Sequence, residues 1–575
     1  MEREARARVR WECRDIDVTA VSALASGLSL PEPLARVLAA RHIHDVEAAQ
    51  RYLEPRLQDL PDPARLAGSS EALERLQVAL RRDETIGIFG DYDVDGVTST
   101  TLLWDFLEGV GGRVVATLPD RLREGYGLSR AGVDRLRDAG ATLVVTVDCG
   151  VTAHEEVDYC KTLGIDVIVI DHHTVPVTLP AATAVINPHR ADCDTGAEHL
   201  CAVGVTFNLC SALRRRLRKT GWFSMTRPEP DLRQALDLVA LGTIADVVPL
   251  VDDNRIFVRH GLKVIAAERR LGMGALLEVA GVSADRVNAG TLGFQLGPRV
   301  NAAGRLGDAM TAVEMLRAPR RERALELARR LDTENLSRRD LEKRITEEAV
   351  RRIEGSTEHR ASRCLVVGDD SWHPGVVGIV ASRLVERFGK PCVVVGEGGR
   401  GSGRSIPAYA LYDGLVAAGH TLDGFGGHAH AAGVRVPVGG LERFREALLD
   451  HAHRTLVDDD LARVVLYDGD LEVDALDLEL CEALQRAAPF GRKNPEPVFR
   501  VPGVTPRGHR ELKGGHFKAT VHPTRRLDAI LFGAPERYED FHGTVDLLGV
   551  PDVNEWNGQR SVQLRLKDFR PGERS

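Results

Sequence analysis

Between residues 84 and 173 the chain alternates short apolar runs with segments of helical period. The apolar runs, ETIGIFG, GRVVATL, ATLVVTV and IDVIVI, are rich in β-branched residues, and amphipathic or glycine-closed segments separate them. This rhythm predicts a parallel sheet covered by helices on both faces. Because ligands of such sheets bind beyond the carboxyl ends of the strands, residues that directly follow an apolar run are the first candidates for a functional site.

The rest of the chain predicts further domains, since 575 residues exceed what one compact core normally holds. Residues 320–353 lack Gly and Pro and predict one long helix, and short strands with turns after residue 460 predict a small barrel of the oligonucleotide-binding type. The expected fold class is α/β throughout, with a β-barrel at the end. The expected segments are an N-terminal helical lead-in (1–80), the first α/β domain (81–250), a helical connector with the long helix (251–355), a second α/β domain (356–458) and the barrel (459–575).

Composition restricts the class of protein only loosely. The N-terminus is charged and has no apolar core of a signal peptide, and no apolar run approaches the length of a membrane span. Nine cysteines without a CxxC pair predict reduced, mostly buried thiols, so we expect a cytoplasmic protein. The net charge of −8 argues weakly against nucleic-acid binding, but carboxylates of a metal centre count as negative until their ions are included.

Three carboxylates lie together in the turn DYDVDG, at Asp91, Asp93 and Asp95. Two unit charges about 4 Å apart repel by roughly 4 kcal/mol at an effective dielectric near 20, so such a cluster favours a bound cation. An Asp-rich turn that only caps the following helix is the simpler alternative, and it remains open for this motif alone. An EF-hand does not match, because Leu102 occupies the twelfth position where that loop requires Glu.

Other strand ends carry matching residues. Asp148 follows LVVTV, the triplet Asp171-His172-His173 follows DVIVI, and Asp246 closes a helical stretch further on. Carboxylates with imidazoles form an oxygen-and-nitrogen ligand set that favours Mn²⁺ over Mg²⁺. Two such ions can activate water and stabilise the leaving oxygen of an in-line phosphoryl displacement, so the sequence predicts a metal-dependent phosphoesterase.

In order along the chain, GDYDVDG, TVDCG, DHH and LGTIADVVPL resemble the four motifs of DHH phosphoesterases. Nearly the whole chain is similar to the bacterial branch of that family that degrades single-stranded DNA from the 5′ end. The segments that carry this wider similarity are PDRLREGYGLS, INPHRADC, LGPRVNAAGRLGDA, SWHPGVVGIVASRL, GSGRS, FGGHAHAAG, APFGRKNPEPVF and NEWNGQRSVQLRLKDF. The resemblance identifies 81–250 as the DHH catalytic domain, 356–458 as the substrate-binding DHHA1 domain and 459–575 as a DNA-binding barrel.

The resemblance also implies roles for residues at the strand ends. The implied ligands of two Mn²⁺ or Mg²⁺ ions are Asp93, Asp95, Asp148, His172 and Asp246. Asp148 would bridge the ions, and His173 would face the scissile phosphate or complete the shell. The implied catalytic set is Asp148, His172, His173 and Asp91, with Asp171 as a further supporting carboxylate.

Two groups of residues are candidates for DNA contacts. Residues implied to hold the 5′-phosphate or the first nucleotides are Arg121, Tyr126, Arg299, Asn301, Arg305, His373, Ser402, Gly403, Arg404 and His428. In isolation, Ser402 and Arg404 also fit a solvated glycine loop, and Tyr126 fits ordinary packing. In the barrel the candidates are Lys513, Phe517, Lys518, Trp556 and Arg560, although core positions for the two aromatic residues fit the pattern equally well.

One residue departs from the pattern of several family members, which have His where this chain has Phe89. Phenylalanine cannot bind a metal, so we expect a weaker first ion, or Asp91 and water in its place. The predicted function is a 5′→3′ exonuclease of single-stranded DNA that releases 5′-mononucleotides in recombination, repair and mismatch repair. Alternatives are an inert DNA-binding scaffold and a phosphodiesterase of short oligonucleotides. A single-strand-binding protein and a RecQ-type helicase are partners implied by the resemblance only.

Overall fold

The computed structural model describes residues 9–121, 124–533, 535–556 and 558–572, without the side chains of residues 306, 535, 536 and 556. The chain divides into two compact units. One unit holds Met1–Glu12, Arg305–Gly307 and Thr333–Val465, and the other holds Cys13–Gly304, Asp308–Asp332 and Leu466–Ser575.

The elements are numbered in chain order. The strands are β1 (Val9–Cys13), β2 (Thr85–Gly90), β3 (Arg113–Thr117), β4 (Leu143–Val147), β5 (Asp166–Ile170), β6 (Ala184–Ile186), β7 (Leu365–Gly368), β8 (Cys392–Val395), β9 (Arg400–Arg404), β10 (Gly424–Gly427), β11 (Ala431–Arg435), β12 (Arg463–Tyr467), β13 (Phe499–Val504), β14 (Arg507–Leu512), β15 (His516–Thr520), β16 (Asp528–Leu531), β17 (Val545–Trp556) and β18 (Gln559–Pro571). The helices are α1 (Val18–Leu28), α2 (Glu32–Ala39), α3 (Val46–Leu53), α4 (Ser69–Arg81), α5 (Val94–Gly109), α6 (Arg130–Asp138), α7 (His154–Thr162), α8 (Ala202–Lys219), α9 (Leu236–Ala245), α10 (Asp252–Ala266), α11 (Leu271–Ala280), α12 (Ala289–Thr291), α13 (Gly297–Leu306), α14 (Met310–Leu316), α15 (Arg321–Gly355), α16 (Thr357–Ala361), α17 (Val377–Phe388), α18 (Leu411–Ala418), α19 (Leu441–Thr455) and α20 (Leu478–Gln485).

The first α/β domain is built on a five-stranded parallel sheet of order β3-β2-β4-β5-β6. Successive residues of each strand enter opposite layers, so Ile88 and Val145 join one hydrophobic cluster while Phe89 and Val144 join another. Helices therefore cover both faces, and the predicted doubly covered parallel sheet is confirmed. Since all five strands run the same way, their carboxyl ends meet at one edge.

Phe89 lies in the interior of one of these layers rather than at that edge. Its ring is fully buried, and a Cβ on Gly132 of α6 would lie 2.2 Å from it. The aromatic side chain thus fills the space between β2 and α6.

The C-terminal barrel is a six-stranded sheet of order β13-β17-β18-β16-β15-β14, in which the β16–β18 pair is parallel and the other pairs are antiparallel. Its hydrophobic core is shared with helices α1 to α3, whereas helix α4 packs in the core of the first α/β domain. The helices of the N-terminal segment therefore pack in two different hydrophobic cores. The spacing of apolar residues within the segment could not show this division.

A buried arginine joins the α/β domain to the barrel. Arg255 of α10 stacks on the ring of Tyr52, with 3.7 Å from Cζ to the ring centroid. Its guanidinium donates to the carbonyls of Tyr52 at 2.9 Å, Ala487 at 2.9 Å and Ala488 at 2.8 Å. These carbonyls lie in or directly after helices α3 and α20, so one side chain fixes segments that are distant in sequence.

The other unit contains a five-stranded mixed sheet of order β10-β11-β9-β8-β7, and the long helix α15 leads into it. The predicted single helix is confirmed over 35 residues. Ion pairs along it, such as Arg338 with Glu342 and Arg352 with Glu348, support the salt-bridged interpretation of its charges. Within the described ranges, no helix has the length and apolar character needed to cross a bilayer.

Candidate metal centre

The carboxyl ends of β2, β4 and β5 bring the predicted residues together. The Nε2 atom of His172 lies 3.2 Å from Asp148 Oδ1, 3.6 Å from Asp246 Oδ2 and 3.8 Å from Asp95 Oδ2. Ligand atoms within 4.8 Å of one another form three groups: Asp148 with His172 and His173; Asp95 with His172 and Asp246; and Asp91 with Asp93 and Asp148. In the described part of the chain, groups of this kind occur at this centre alone.

The DYDVDG turn both caps a helix and faces this centre. Asp93 is the N-cap of α5, and its Oδ1 accepts hydrogen bonds from the amides of Asp95 at 2.9 Å and Gly96 at 3.1 Å. Gly96 is required because a Cβ there would lie 2.4 Å from the carbonyl oxygen of Asp91. Asp93 thus caps the helix with one carboxylate oxygen, and its second oxygen takes no part in the cap.

Helix α8 holds Asp95 in place. The Asp95 carboxylate accepts from the amides of Ala202 at 2.6 Å and Val203 at 2.9 Å. The N-cap residue, Cys201, makes no side-chain capping bond, so Asp95 satisfies the free amides of this helix. Sequence reasoning missed these two amides, and the missing polar cap before α8 was the available signal.

Burial and mutual repulsion act strongly on these carboxylates. Burial, then the charge of Asp93, raises the pKa of Asp95 to about 7. Burial, then Asp95, raises the pKa of Asp246 to about 9. The pKa values of Asp91 and Asp148 rise well above the ordinary value for the same reasons, burial first and Asp93 next. Such a cluster is unfavourable without cations.

Three ligand atoms fit the expected metal ions directly. Asp91 Oδ1, Asp148 Oδ1 and His172 Nε2 are buried and have no hydrogen-bond partner among the described residues. Burial, then the neighbouring His173, lowers the pKa of His172 to about 4, which keeps its imidazole neutral as a metal ligand must be. The donor set therefore matches divalent cations.

Asp171 organises the centre rather than facing it. Its carboxylate accepts from the amides of Val151, His172 and His173 at 3.0, 2.8 and 3.1 Å, and it pairs with His173 Nδ1 at 2.7 Å. Although burial opposes the change, the His173 hydrogen bond lowers the pKa of Asp171. Burial also opposes protonation of His173, but the Asp171 hydrogen bond raises its pKa to about 9.

Tyr126 and Arg121 lie beside the centre. The Tyr126 hydroxyl is 3.2 Å from His173 Nδ1 and donates to the carbonyl of Asp148 at 3.3 Å, while 53% of the residue is exposed. Ordinary core packing does not describe such a position. Arg121 places its guanidinium carbon 5.0 Å from the centroid of the Tyr92 ring.

The candidates of the other unit form their own cluster. Ser402, Gly403 and Arg404 lie on strand β9, which pairs with β8 and β11, so the glycine-loop interpretation is wrong. Arg404 donates to Ser402 Oγ at 2.9 Å, and a Cβ on Gly378 would lie 3.0 Å from that Oγ and 3.2 Å from Arg404 Nη2.

Three further candidates lie within the same unit. Arg305 donates to the carbonyl of Gly375 at 2.9 Å, and His373 Nδ1 accepts from the amide of Gly375 at 3.0 Å. His428 is exposed, and its amide donates to the carbonyl of Ala431.

Two candidates of helix α13 lie in the unit of the metal centre. Arg299 already has partners within the protein: it forms an ion pair with Asp332 at 2.9 Å and donates to the carbonyl of Gln295 at 2.7 Å. Asn301 is half-buried on the same helix.

The barrel candidates need one clear correction. Phe517 is 1% exposed and packs on Phe541, Phe569 and Tyr538, so it is a core residue and cannot stack on DNA. Strand alternation gave no sign of which face of β15 is inside, and the structure places Phe517 on the inner one.

The remaining barrel candidates differ in how freely they are exposed. Lys518 pairs with Asp528 at 3.0 Å and Arg560 pairs with Glu482 at 2.7 Å, whereas Lys513 is exposed. The Trp556 side chain lies outside the described residues.

Replacing Phe517 with alanine is expected to destabilise the barrel by about 3–5 kcal/mol, because the change leaves a cavity among three other aromatic rings. Chemical denaturation measures this free energy of unfolding. The matched control Lys513→Ala, at an exposed site of the same domain, should change it by less than about 0.5 kcal/mol. A Phe517→Ala protein of normal stability that lost DNA affinity would contradict the core assignment.

Family models match three parts of the chain. The DHH family, N-terminal domain, matches residues 85–243; the DHHA1 domain matches residues 361–454; and the RecJ OB domain matches residues 467–568. These spans contain the parallel sheet, the mixed sheet and all of the six-stranded barrel except the end of β18.

Similar proteins and structures extend over nearly the whole chain. A crystal structure of RecJ in complex with Mn²⁺ from Thermus thermophilus matches 99% of this chain and 80% of its own with a TM-score of 0.82 and 29% identity, and one in complex with Mg²⁺ matches with a TM-score of 0.77. The single-stranded-DNA-specific exonuclease RecJ of Escherichia coli is 37% identical over 94% of this chain and 96% of that protein. That of Dickeya dadantii is 41% identical over the same shares. Identity at this level, over nearly the full length of both proteins, shows that the chain belongs to the RecJ family of exonucleases.

Proposed function

We propose that this protein degrades single-stranded DNA from the 5′ end to 5′-mononucleotides and depends on two divalent ions, Mn²⁺ or Mg²⁺. The observation that carries the proposal is the set of buried, unpartnered ligand atoms on Asp91, Asp148 and His172, among the described residues, at the edge of the parallel sheet. The names of the RecJ relatives support single-stranded DNA as the substrate, and the RecJ structures, one in complex with Mn²⁺ and another with Mg²⁺, support a divalent ion of either kind. The expected setting is DNA recombination and repair, including mismatch repair, in the cytoplasm.

The ligand roles follow from the grouping of the side chains. We assign Asp93, Asp95, Asp148, His172 and Asp246 to the ions. Asp148 belongs to two of the three ligand groups, which supports a bridging position between them. Bound ions would supply Lewis-acid stabilisation of the charge that develops on the phosphodiester oxygens.

The remaining residues orient the reacting groups. His173 lies in the ligand group of Asp148 and His172, so its ring is proposed to face the scissile phosphate or to complete the metal shell. Asp171 fixes its orientation through Nδ1, and the Tyr126 hydroxyl lies 3.2 Å from the same nitrogen. Asp91 lies beside Asp93 and Asp148 as a supporting carboxylate.

We propose Ser402, Gly403 and Arg404 as contacts to the 5′-terminal phosphate, and Arg121 as a further phosphate contact. Strand β9 presents a glycine backbone between a hydroxyl and a guanidinium, a combination suited to phosphate oxygens. Tyr126, Arg305, His373 and His428 are proposed contacts to the first nucleotides, and Lys513 is the proposed contact on the barrel.

The segment limits remain part of the proposal: a lead-in at 1–80, the catalytic domain at 81–250, a connector at 251–355, the substrate-binding domain at 356–458 and the DNA-binding barrel at 459–575. The three family matches fall inside the catalytic domain, the substrate-binding domain and the barrel, respectively, which supports the limits of these three segments. A single-strand-binding protein and a RecQ-type helicase are proposed partners.

Cleavage of end-labelled DNA tests the function. We expect 5′-labelled single strands to release labelled mononucleotide at once in Mn²⁺ or Mg²⁺, with no release in EDTA and little from blunt duplex. A 3′-labelled strand should shorten progressively instead. DNA binding without cleavage in any metal would favour the inert scaffold, and cleavage confined to dinucleotides would favour the short-oligonucleotide enzyme.

A further inference from the structure

A tight turn at Gly491–Asn494 carries two exposed cations at its tip. The backbones of Gly491 and Asn494 exchange hydrogen bonds of 2.8 and 3.1 Å, and Lys493 has a left-handed φ of 59°. Arg492 and Lys493 lie between the paired residues and are exposed. The turn therefore presents two positive side chains from a closed backbone ring.

The base of the turn is held rigidly. The buried Asn494 side chain accepts from Arg41 Nε and from the Tyr52 hydroxyl, each at 2.7 Å. Its amide donates to the carbonyls of Ala487 at 3.0 Å and Pro489 at 2.7 Å. All four hydrogen-bonding positions of this amide are used, so the cations at the tip are held at a fixed place rather than on a loose loop.

This place is the rim of the metal centre. The carbonyl of Arg492 accepts from the amide of Leu250 at 2.9 Å, and Arg492 Nη1 donates to the carbonyl of Val247 at 3.4 Å. Val247 directly follows Asp246 and is 60% exposed. Arg492 is also close enough for its charge to act on the carboxylate of Asp246.

Neither cation forms an ion pair in the described part of the protein. Within those residues, the Arg492 side chain makes that single hydrogen bond and no ion pair, and the Lys493 side chain makes neither. A guanidinium has five donors, so most of those on Arg492 remain available to a ligand. Several cations on the barrel strands are neutralised locally, as Lys518 is by Asp528 and Arg565 by Asp552.

We propose that Arg492 and Lys493 form a phosphate-binding subsite for the backbone of the DNA strand as it passes the Asp246 side of the metal centre. The subsite rests on the proposed function. A strand approaching this cluster of carboxylates needs compensating positive charge, and a rigid Arg-Lys pair at the rim supplies it where phosphates would lie. The segment before the barrel thereby contributes directly to the catalytic cleft.

The test uses the full-length Arg492→Gln/Lys493→Asn protein. Asparagine tolerates the left-handed backbone of residue 493, and glutamine keeps a donor for the Val247 carbonyl, so the turn should persist. We expect KM for single-stranded DNA to rise about tenfold with kcat within about twofold. The negative slope of log affinity against log salt, measured by anisotropy in EDTA, should become less steep by about 1.4. Each lost phosphate contact on a single strand removes roughly 0.7 from its magnitude.

Two comparisons make the outcome decisive. Arg492→Lys should keep the salt slope, because it keeps the charge, and Arg81→Gln, at an exposed arginine that ends α4, should leave every parameter unchanged. An unchanged slope and KM in the double variant would refute the subsite. A loss explained by a lower melting temperature or weaker Mn²⁺ binding would refute it as well, by showing a structural role. Failure of the wild-type protein to cleave at all would instead overturn the proposed function.

Discussion

Asp148→Asn is expected to reduce the rate of DNA cleavage by roughly 10³-fold or more while leaving DNA affinity within about threefold. Asp148 belongs to two ligand groups, and its buried Oδ1 has no partner among the described residues. Loss of a shared ligand removes several kcal/mol of transition-state stabilisation, which corresponds to a factor of this size in rate. Asparagine is preferred to alanine because residue 148 has a φ of 63°, a region that Asn adopts readily.

Single-turnover cleavage and anisotropy with single-stranded DNA measure the two quantities separately. Asp158→Asn is the matched control, since this exposed aspartate of α7 lies outside the ligand groups and should leave the rate unchanged. Asp148→Ala should be equally inactive. A variant that retained more than about a tenth of the wild-type rate would contradict the bridging role.

Without divalent ions, the carboxylates of this centre are expected to make the protein less stable as the pH rises. In the metal-free protein the folded pKa values of Asp95, about 7, and Asp246, about 9, lie above the ordinary value. A raised carboxyl pKa contributes stability that is complete below the unfolded value near 4 and is lost as pH rises through the folded value. The contribution of these two carboxyls to the melting temperature of the metal-free protein should therefore fall between about pH 4 and 9.

The stabilisation of the folded protein by added Mn²⁺ should instead increase with pH, because the ion binds the ionised carboxylates and competes with protons. The rise in melting temperature on adding about 1 mM Mn²⁺ should be small near pH 6 and reach several degrees or more near pH 8.5. Thermal unfolding with and without EDTA measures it. In the Asp246→Asn variant, both the fall in melting temperature with pH and the pH-dependent stabilisation by Mn²⁺ should be largely lost. A stabilisation by Mn²⁺ that did not grow with pH would rule out these carboxylates as ligands.

Much of the centre is predictable because one rule of topology places it. Asp91, Asp148 and His172 are distant in sequence, but each follows a strand of the same parallel sheet, so the direction of the strands alone brings them to one edge. The family resemblance then separated ligands from supporting residues. The long helix was also predictable, since the absence of Gly and Pro over that stretch is a local property.

The errors arose where a residue's environment depends on distant chain. Phe517 lies between polar neighbours, and only the positions of Phe541 and Phe569 determine that it faces inward. GSGRS looks like a loop in sequence, yet β8 and β11 pair with it on both sides.

The contacts that lie farthest apart in sequence were also missed. For the amides of Ala202 and Val203 under Asp95, the sequence offers only an indirect sign, the missing polar cap before α8. Arg492 beside Asp246 has no signature in the local sequence, because the contact joins segments that are distant along the chain.

The distribution of thiols has a practical consequence for following the enzyme on DNA. All nine cysteines lie in described ranges, and eight of them are buried, while Cys13 on β1 is exposed. Thiolate reactivity requires access, so a maleimide dye added to the native wild-type chain should attach at one position. Cys13 is the last residue of β1, shortly before α1, whose side chains share the barrel core. A single fluorophore there would therefore label the part of the chain next to the barrel core. Single-molecule measurements of movement along a strand can therefore begin without removing any cysteine.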